Sequence, residues 1–387
     1  MKPDYAGGSI VNLMASIMAG FGVRSHYAPL GALLPDEIAG PRNVCLFVID
    51  GLGARHLAQG AASGGALAPH LRASITTIFP STTAAAVTTF MTGLAPQSHA
   101  VTGWHMYFRE LGTVLAVLPF RPRHGGPSLA VAGGATPAAL LGNAPLADRI
   151  EAATHVISPL AIVDSCFNTA HSGRARRIGH RGLDDMFAAA RDVVRAGGTG
   201  RQYVYAYYSE LDTLAHAHGI GSDEVGAELG RIDAAFGRFL EEIAGTDTLA
   251  IFTADHGFVD TRPETVVDLD DHPDLAATLA VPLCGEPRVA YCYVKSDAAP
   301  TFERYVERRL SHCVTLARSR DLIADGWFGP GAAHPRLADR IGDYALIMKE
   351  GYAVRDHVPG ERRHVQIGVH GGPTEEEMLV PLVVARA

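Results

Sequence analysis

The sequence lacks the features that mark several large classes of protein. Its five cysteines are scattered and form no Cys-x-x-Cys pair, which argues against a disulfide framework and a thiolate zinc site. It contains no run of about 18 apolar residues, so we expect no transmembrane helix. Lysine and arginine total 33 against 41 aspartates and glutamates, a net charge of −8. This balance shows no basic surplus for binding nucleic acid or a membrane surface.

An apolar stretch lies near the start of the chain, at residues 10–23. Asn12 and Ser16 interrupt it, and no clear small-residue cleavage site follows, so we do not expect a signal peptide. Scattered cysteines suit a reducing compartment. These features favour a cytoplasmic location over a periplasmic one, and the sequence carries no signal for an oligomeric state.

Apolar runs alternate with helical patterns along the chain. Buried parallel strands, each ending in a polar residue, are predicted at 44–49, 203–208, 249–253 and 365–369. Helices are predicted at 183–196, 224–243 and 300–316. This alternation predicts an α/β fold with a mostly parallel sheet and helices on both faces. Ligands of such sheets bind beyond the carboxyl ends of the strands.

Two regions look like additions to a single catalytic domain that spans residues 1–387. Residues 103–167 are rich in Gly, Pro and Ala, and we expect them to form an active-site insertion. Residues 263–356 contain an apolar strand at 288–294 followed by the helical pattern from 300. We expect this second region to form a small α/β subdomain.

Polar residues follow the first predicted strand and begin the next helix. Asp50 and two nearby glycines end the strand at 44–49, which fits a turn as well as a metal-binding carboxylate. Thr82 and Thr83 follow Pro80 and precede three alanines, which predicts the start of a helix. A hydroxyl at a helix amino terminus can be a simple N-cap. It can also be a nucleophile, because the helix dipole favours an alkoxide and an incoming phosphate.

Two further clusters combine carboxylates with imidazoles. Asp212 and His216 are spaced i, i+4, so they share one face of a predicted helix, either as a surface pair or as ligands of one cation. Asp255 and His256 end a buried strand, where burying both without a partner would be costly. A metal ion would remove that cost.

His370 completes the set of candidate ligands, and His364 competes with it for this position. We favour His370 because it ends an apolar run and precedes two glycines. Three aspartates, three histidines and one hydroxyl, with no cysteine, suit zinc, with manganese or iron as alternatives. Seven ligands exceed the needs of one tetrahedral ion. They suit two divalent ions about 3.5–4 Å apart, as in two-metal phosphoryl-transfer sites.

The order of these motifs resembles that of the alkaline phosphatase superfamily, specifically its nucleotide pyrophosphatase/phosphodiesterase branch. An Asp after the first strand, a Phe-Pro-Ser-x-Thr segment, D-x-x-x-H, D-H-G and a final H-G follow one another between residues 43 and 382. The resemblance implies an alkaline-phosphatase-like fold and Thr83 as the nucleophile, with Thr82 as the alternative. It implies two metal sites, one with Asp50, Thr83, Asp255 and His256 and the other with Asp212, His216 and His370.

The chain departs from the family pattern in a substrate-binding segment. Diesterases of the family commonly carry Gly-Asn-x-Met-Tyr, whose Asn binds a phosphoryl oxygen, whereas this chain has Trp104 at that position within Gly103–Tyr107. His105 is a candidate replacement donor. Trp104 and Tyr107 are candidates for stacking on a nucleobase or an aryl group, although both also suit core packing.

The resemblance implies hydrolysis of phosphodiester or nucleotide pyrophosphate bonds through a phospho-threonine intermediate. The substrate would be a small-molecule phosphate ester or nucleotide. Phosphomonoesterase or phosphonate hydrolase activity of the same superfamily is the first alternative, and the absence of an Arg or Lys clamp in the core motifs favours diesters. A sulfatase is not expected, since the nearest match to its C-x-P-x-R motif, at 284–288, lies downstream of the Asp-His pair. An alternative of another class is a catalytically weak protein that binds a phosphorylated ligand through metal ions.

Overall fold

The computed structural model of the protein describes residues 1–60, 65–198, 200–361 and 366–387. The strands, in chain order, are Asn43–Ile49 (β1), Leu71–Thr76 (β2), His105–Phe108 (β3), Thr113–Ala116 (β4), Arg121–Pro122 (β5), Ala153–Pro159 (β6), Arg176–His180 (β7), Gln202–Tyr208 (β8), Thr248–Thr253 (β9), Val259–Asp260 (β10), Val266–Asp268 (β11), Cys284–Gly285 (β12), Val289–Cys292 (β13), Val314–Arg318 (β14), Tyr344–Met348 (β15), Ala353–Arg355 (β16), Gly368–Val369 (β17) and Leu379–Arg386 (β18).

The α-helices are Ile10–Gly20 (α1), Pro35–Ala39 (α2), Ala54–Gly60 (α3), Thr83–Thr92 (α4), Pro96–His99 (α5), Pro137–Leu141 (α6), Cys166–Ser172 (α7), Leu183–Ala196 (α8), Glu210–His218 (α9), Asp223–Glu242 (α10), Pro273–Ala276 (α11), Ala299–Tyr305 (α12), Ser319–Ala324 (α13), Leu337–Arg340 (α14) and Glu375–Met378 (α15). Short 3₁₀ turns occur at Ala68–His70, Leu146–Asp148, Pro263–Thr265 and Leu269–Asp271, and a π-helical turn at Val306–Leu310.

The central sheet has seven strands in the order β2-β18-β9-β1-β8-β6-β7. The pairings β9-β1, β1-β8, β8-β6 and β6-β7 are parallel, and β18 runs antiparallel to both of its neighbours. Every residue of β1, β8 and β9 is buried, as expected for strands without polar alternation. The predicted α/β fold with a mostly parallel sheet is confirmed.

Helices pack on both faces of the central sheet. On one face Phe47 of β1 contacts Phe187 of α8 and Phe239 of α10, with ring centroids 4.9 and 5.0 Å apart. On the other face Tyr205 of β8 lies near Phe90 of α4, with centroids 6.3 Å apart. The buried aromatic rings therefore fix the layers whose edge carries the candidate site.

The apolar stretch near the amino terminus forms the buried helix α1. Asn12 donates hydrogen bonds to the carbonyl oxygens of Tyr5 and Ala28, which satisfies the polar residue that interrupts the stretch. Among the described residues, no helix is both long and apolar enough to cross a bilayer.

Two secondary-structure predictions are wrong in part. The run at 365–369 does not join the central sheet: β17 covers only two residues and pairs antiparallel with β10, while residue 365 lies outside the described ranges. Ile367 is 39% exposed, so the segment is not buried on both faces as the prediction required. The helix predicted at 300–316 ends with the π turn at Leu310, and β14 follows from Val314, because Val314 and Thr315 suit a strand better than a helix.

The second sheet has seven antiparallel strands in the order β14-β15-β13-β12-β3-β4-β5. Strands β3 to β5 come from the region 103–167, and β12 to β15 come from the region 263–356, so both predicted additions contribute to one sheet. The first region also contains β6, which belongs to the central sheet. Strand β12 joins the two regions through its pairing with β3.

Candidate metal centre

The carboxyl ends of three neighbouring central strands carry most of the candidate ligands. Asp50 directly follows β1, and Asp255 and His256 lie just beyond β9. Helix α9, which follows β8, carries Asp212 and His216. Because β9, β1 and β8 are adjacent and parallel, these side chains meet at one edge of the sheet.

Two other segments reach the same edge. Thr83 is the first residue of α4, and Thr82 is its N-cap. This agrees with the helix start predicted from Pro80, the threonines and the three alanines that follow them. His370 directly follows β17. The structure thereby gathers residues from five separate parts of the chain.

The first group of candidate ligands comprises Asp50, Asp255 and His256, all buried and compact enough to hold one metal ion. Nε2 of His256 lies 3.2 Å from Oδ1 of Asp50 and 3.6 Å from Oδ2 of Asp255. The hydroxyl oxygen of Thr83 lies 3.0 Å from Nε2 of His256 and 3.4 Å from Oδ1 of Asp50. The hydroxyl of Thr82 instead donates to Glu286, so Thr83 is the threonine beside this group.

The second group comprises Asp212, His216 and His370. Oδ1 of Asp212 lies 3.5 Å from Nε2 of His216 and 3.9 Å from Nε2 of His370. The rings of His370 and His256 stack with centroids 3.7 Å apart, which makes the two groups immediate neighbours. This is the grouping that the family resemblance implies.

All three histidines are oriented by hydrogen bonds to backbone carbonyls. Nδ1 of His216 donates to the Gly368 oxygen at 2.8 Å, and Nδ1 of His256 to the Gly257 oxygen at 3.2 Å. Nδ1 of His370 donates to the Ser81 oxygen at 3.1 Å. A carbonyl can only accept, so in each neutral ring Nε2 keeps its lone pair for a metal ion.

The carboxylates are short of positive partners. Oδ1 of Asp212 and Oδ2 of Asp255 are buried without a hydrogen-bond partner among the described residues. Burial and repulsion by Asp50 raise the pKa of both Asp212 and Asp255 well above the usual range. Burial lowers the pKa of His256, but the attraction of Asp255 and Asp50 outweighs it and raises that pKa to about 10. Divalent ions would replace the protons that these values retain, so the residues fit two metal ions.

Gly51 allows the turn that follows Asp50. Its φ of +78° lies in the left-handed region, and a Cβ there would lie 2.4 Å from the Phe258 ring. Its N–H donates to Oδ1 of Asp255 at 3.0 Å. The glycine therefore both turns the chain and positions a candidate ligand.

Sequence reasoning missed several supporting residues. The Tyr207 hydroxyl donates to Oδ2 of Asp50, and Ser81 accepts from His370 and donates through its hydroxyl to the Gly372 oxygen at 2.7 Å. Tyr207 lies in a strand that the apolar pattern predicted, but its partner Asp50 follows a different strand. No local pattern could have identified such long-range contacts.

A buried ion pair holds the loops that carry two of the histidines. Arg288 donates from Nε and Nη2 to the Glu377 carboxylate, both at 3.1 Å, and both side chains are fully buried. Glu377 also accepts from the Gly372 N–H at 2.7 Å through its side chain and from the Gly257 N–H at 2.9 Å through its backbone carbonyl. The ion pair thus connects the second sheet to the loops after His256 and His370.

We expect Glu377→Gln to lower the free energy of unfolding by about 3 kcal/mol or more, because it leaves the Arg288 charge buried without its partner. Urea unfolding of the variant and the parent protein measures the difference. The matched control is Glu303→Gln, which removes an exposed partner of Arg318 and should cost less than about 1 kcal/mol. Equal effects at both positions would contradict a stabilising role for the buried pair.

The three predicted substrate-binding residues differ in their surroundings. Trp104 is 37% exposed. Its backbone N–H donates to the Glu286 carboxylate, which also accepts from the Thr82 hydroxyl. The side chain of His105 lies 3.8 Å from the Glu361 carboxylate. The Tyr107 ring packs on Tyr293, with centroids 5.0 Å apart. Trp104 is therefore connected to Thr82, the neighbour of Thr83, through their shared partner Glu286.

A family model and several solved structures match the chain. A family model described as type I phosphodiesterase / nucleotide pyrophosphatase matches residues 44–373. Murine ectonucleotide pyrophosphatase / phosphodiesterase 5 has a similar structure, with a TM-score of 0.64 and 17% identity over 88% of this chain and 87% of that chain. For the human protein of the same name the TM-score is 0.65 and the identity 16%, over 88% and 87%.

A bacterial structure is similar to about the same degree. Phosphonoacetate hydrolase from Sinorhizobium meliloti 1021, in complex with phosphonoformate, gives a TM-score of 0.63 and 16% identity over 89% of this chain and 90% of that chain. No protein with a curated description matches the sequence. At these identities the structural likeness establishes a shared fold.

Proposed function

From the premise that the chain belongs to the type I phosphodiesterase / nucleotide pyrophosphatase family, we propose that it hydrolyses phosphodiester or nucleotide pyrophosphate bonds with two divalent metal ions, through a phospho-threonine intermediate. The observation that carries the proposal is the position of the Thr83 oxygen, 3.0 Å from His256 and 3.4 Å from Asp50. It lies beside the first group of ligands, and the second group adjoins it. An inactive variant of murine ectonucleotide pyrophosphatase / phosphodiesterase 5 in complex with AMP is a precedent for a nucleotide ligand on this fold.

The proposed reaction has two displacements at phosphorus. The Thr83 oxygen attacks, the bond to the leaving oxygen breaks, and a phospho-threonine forms. Water then attacks the same phosphorus, and the bond to Thr83 breaks, which restores the hydroxyl. Divalent ions, zinc by the donor set and manganese or iron as alternatives, would activate the nucleophile and stabilise the developing negative charge.

The amino terminus of α4 supports binding of a phosphoryl group. Thr82 is the N-cap residue, but its hydroxyl donates to Glu286 and does not cap the helix. The first N–H groups of α4 therefore keep their hydrogen-bonding capacity, and the helix dipole favours an anion there. We propose that these groups and Thr83 face the same phosphoryl group.

The ion pairs of two arginines in the region 103–167 favour a diester over a monoester. Arg123 is buried and binds Asp356 at 2.7 Å and Glu361 at 2.9 Å, so its charge is already compensated. Arg109 is exposed and lies 3.5 Å from Asp339. A monoester dianion usually needs a guanidinium or ammonium group to bind its oxygens, and both of these guanidinium groups are already paired with protein carboxylates.

A phosphonate is the second candidate substrate. The observation in its favour is the similarity to phosphonoacetate hydrolase, whose fold covers 89% of this chain. The two candidates are separated by the leaving group, since a phosphonate reaction breaks a carbon–phosphorus bond and releases no alcohol. Phosphonoacetate therefore belongs in any substrate panel.

We expect the zinc-loaded protein to hydrolyse bis-p-nitrophenyl phosphate and the nitrophenyl ester of thymidine monophosphate faster than p-nitrophenyl phosphate. Chelator should abolish each activity, because the side chains alone do not supply the positive charge that the reaction needs. Release of nitrophenol is measured with and without chelator, and release of phosphate from phosphonoacetate is measured in parallel. Activity that survives full metal removal would contradict the mechanism, and binding of AMP without turnover of any ester would favour a ligand-binding protein.

A further inference from the structure

Glu286 is a buried carboxylate that the proposed reaction does not use. It follows β12 of the second sheet and is 8% exposed. One of its oxygens accepts from the Thr82 hydroxyl and from the backbone N–H of Trp104, the latter at 2.6 Å. The sequence match at 284–288 gave no indication of this position.

The surroundings of Glu286 place it beside the candidate centre on several sides. Thr82 directly precedes the proposed nucleophile, and Gly371 directly follows His370. A Cβ on Gly371 would lie 2.4 Å from Cβ of Glu286, so the carboxylate-bearing side chain packs directly on the His370 loop. Burial raises the pKa of Glu286 to about 7, while the hydrogen bonds from Thr82 and Trp104 and the charge of His256 act in the opposite direction. Above that pH the carboxylate is ionised and repels Asp212 of the second ligand group.

Glu286 has no lysine or arginine partner among the described residues. Within the part of the chain that the structure describes, its hydrogen-bond donors are neutral, and no lysine or arginine forms an ion pair with it. By contrast, the nearby buried Glu377 has Arg288 as a bidentate partner. Burying an unpaired carboxylate is costly, which favours a functional reason for its presence.

We propose that Glu286 is a specificity-determining residue that selects monoanionic phosphodiesters over dianionic phosphomonoesters. This inference rests on the proposed function and deepens it. A phosphoryl group at the amino terminus of α4 would lie close to the carboxylate that holds Thr82. A monoester carries about one more negative charge than a diester above its second pKa of about 6, and that charge is repelled by Glu286.

The hydrogen bond to Trp104 adds to this selection. Glu286 accepts from the backbone N–H of Trp104 at 2.6 Å, so that N–H is not free to donate to a phosphoryl oxygen. The Glu286 carboxylate can only accept hydrogen bonds, whereas the oxygens of a monoester dianion need donors. A diester, in which one more oxygen is esterified, needs fewer donors.

The test is Glu286→Gln in the zinc-loaded full-length protein. Glutamine keeps an oxygen that accepts from Thr82 and Trp104 but removes the charge. We expect the ratio of kcat/KM for p-nitrophenyl phosphate to kcat/KM for bis-p-nitrophenyl phosphate to rise about tenfold. Both measurements are made at about pH 8, where Glu286 is ionised and inorganic phosphate is mainly a dianion; by calorimetry, phosphate should bind the variant about tenfold more tightly.

The control Glu303→Gln removes a distant carboxylate on α12 and should leave both quantities unchanged. A parent protein that is active on the diester, together with a Glu286→Gln variant whose ratio and phosphate affinity do not change, would overturn the inference alone. A parent protein with no esterase activity would overturn the proposed function, and the phosphate measurement would still test the charge effect. A variant that loses zinc would show that Glu286 supports the metal ions, which would also reject the specificity role.

Discussion

Thr83→Ala is expected to lower kcat for diester hydrolysis by at least about a thousandfold, since removal of a nucleophile from a cooperating set costs nearly the whole of its catalytic effect. Zinc content should be nearly unchanged, because Asp50, Asp255 and His256 remain within reach of one ion. Steady-state kinetics and metal analysis on the same preparation measure both quantities.

Two variants make the Thr83 experiment specific. Thr83→Ser keeps a hydroxyl at the start of α4 and should restore much of the activity. Thr82→Val removes the neighbouring hydroxyl, which binds Glu286, and should affect kcat far less than Thr83→Ala. Near-normal turnover by Thr83→Ala, or a larger loss in Thr82→Val, would reject Thr83 as the nucleophile.

The second large effect is expected for His370→Ala, which removes one of three ligands from the second group. Zinc should fall from about two ions per chain to about one, and kcat/KM for the diester should fall about a hundredfold or more. The physical reason is that Asp212 and His216 alone leave the ion with two protein ligands. Metal analysis after dialysis against a weak chelator measures the loss.

His218 provides a matched control for the His370 variant. It lies on α9 two residues after His216, and positions two apart on a helix face different ways. Its ring lies 3.8 Å from the Glu224 carboxylate instead. His218→Ala should therefore keep both ions and full activity. Retention of two ions by His370→Ala, or loss of one by His218→Ala, would contradict the assignment of the second group.

The sequence predicted the parts of the molecule that depend on local patterns. The apolar runs that became β1, β8 and β9 have no polar alternation, and burial on both faces is the common explanation of such runs. The helix start at Thr83 follows from the proline and alanines around it, and the i, i+4 spacing of Asp212 and His216 follows from helix geometry. Local patterns were insufficient at 365–369, where a buried two-residue strand, preceded by the exposed Ile367 and paired outside the central sheet, replaced the predicted one.

The α/β class and the three central strands could be predicted from the sequence alone, as could the seven candidate ligands, whose order resembles the family. Each of these follows from residues that are neighbours along the chain, or from their order. Three other features depend on how the chain packs: Thr83 rather than Thr82 lies beside the ligands, the regions 103–167 and 263–356 share one sheet, and Glu286, Glu377 and Tyr207 surround the site. The reason is physical: these contacts join residues that are tens to hundreds of positions apart, and only chain packing determines which of the many possible long-range pairs form.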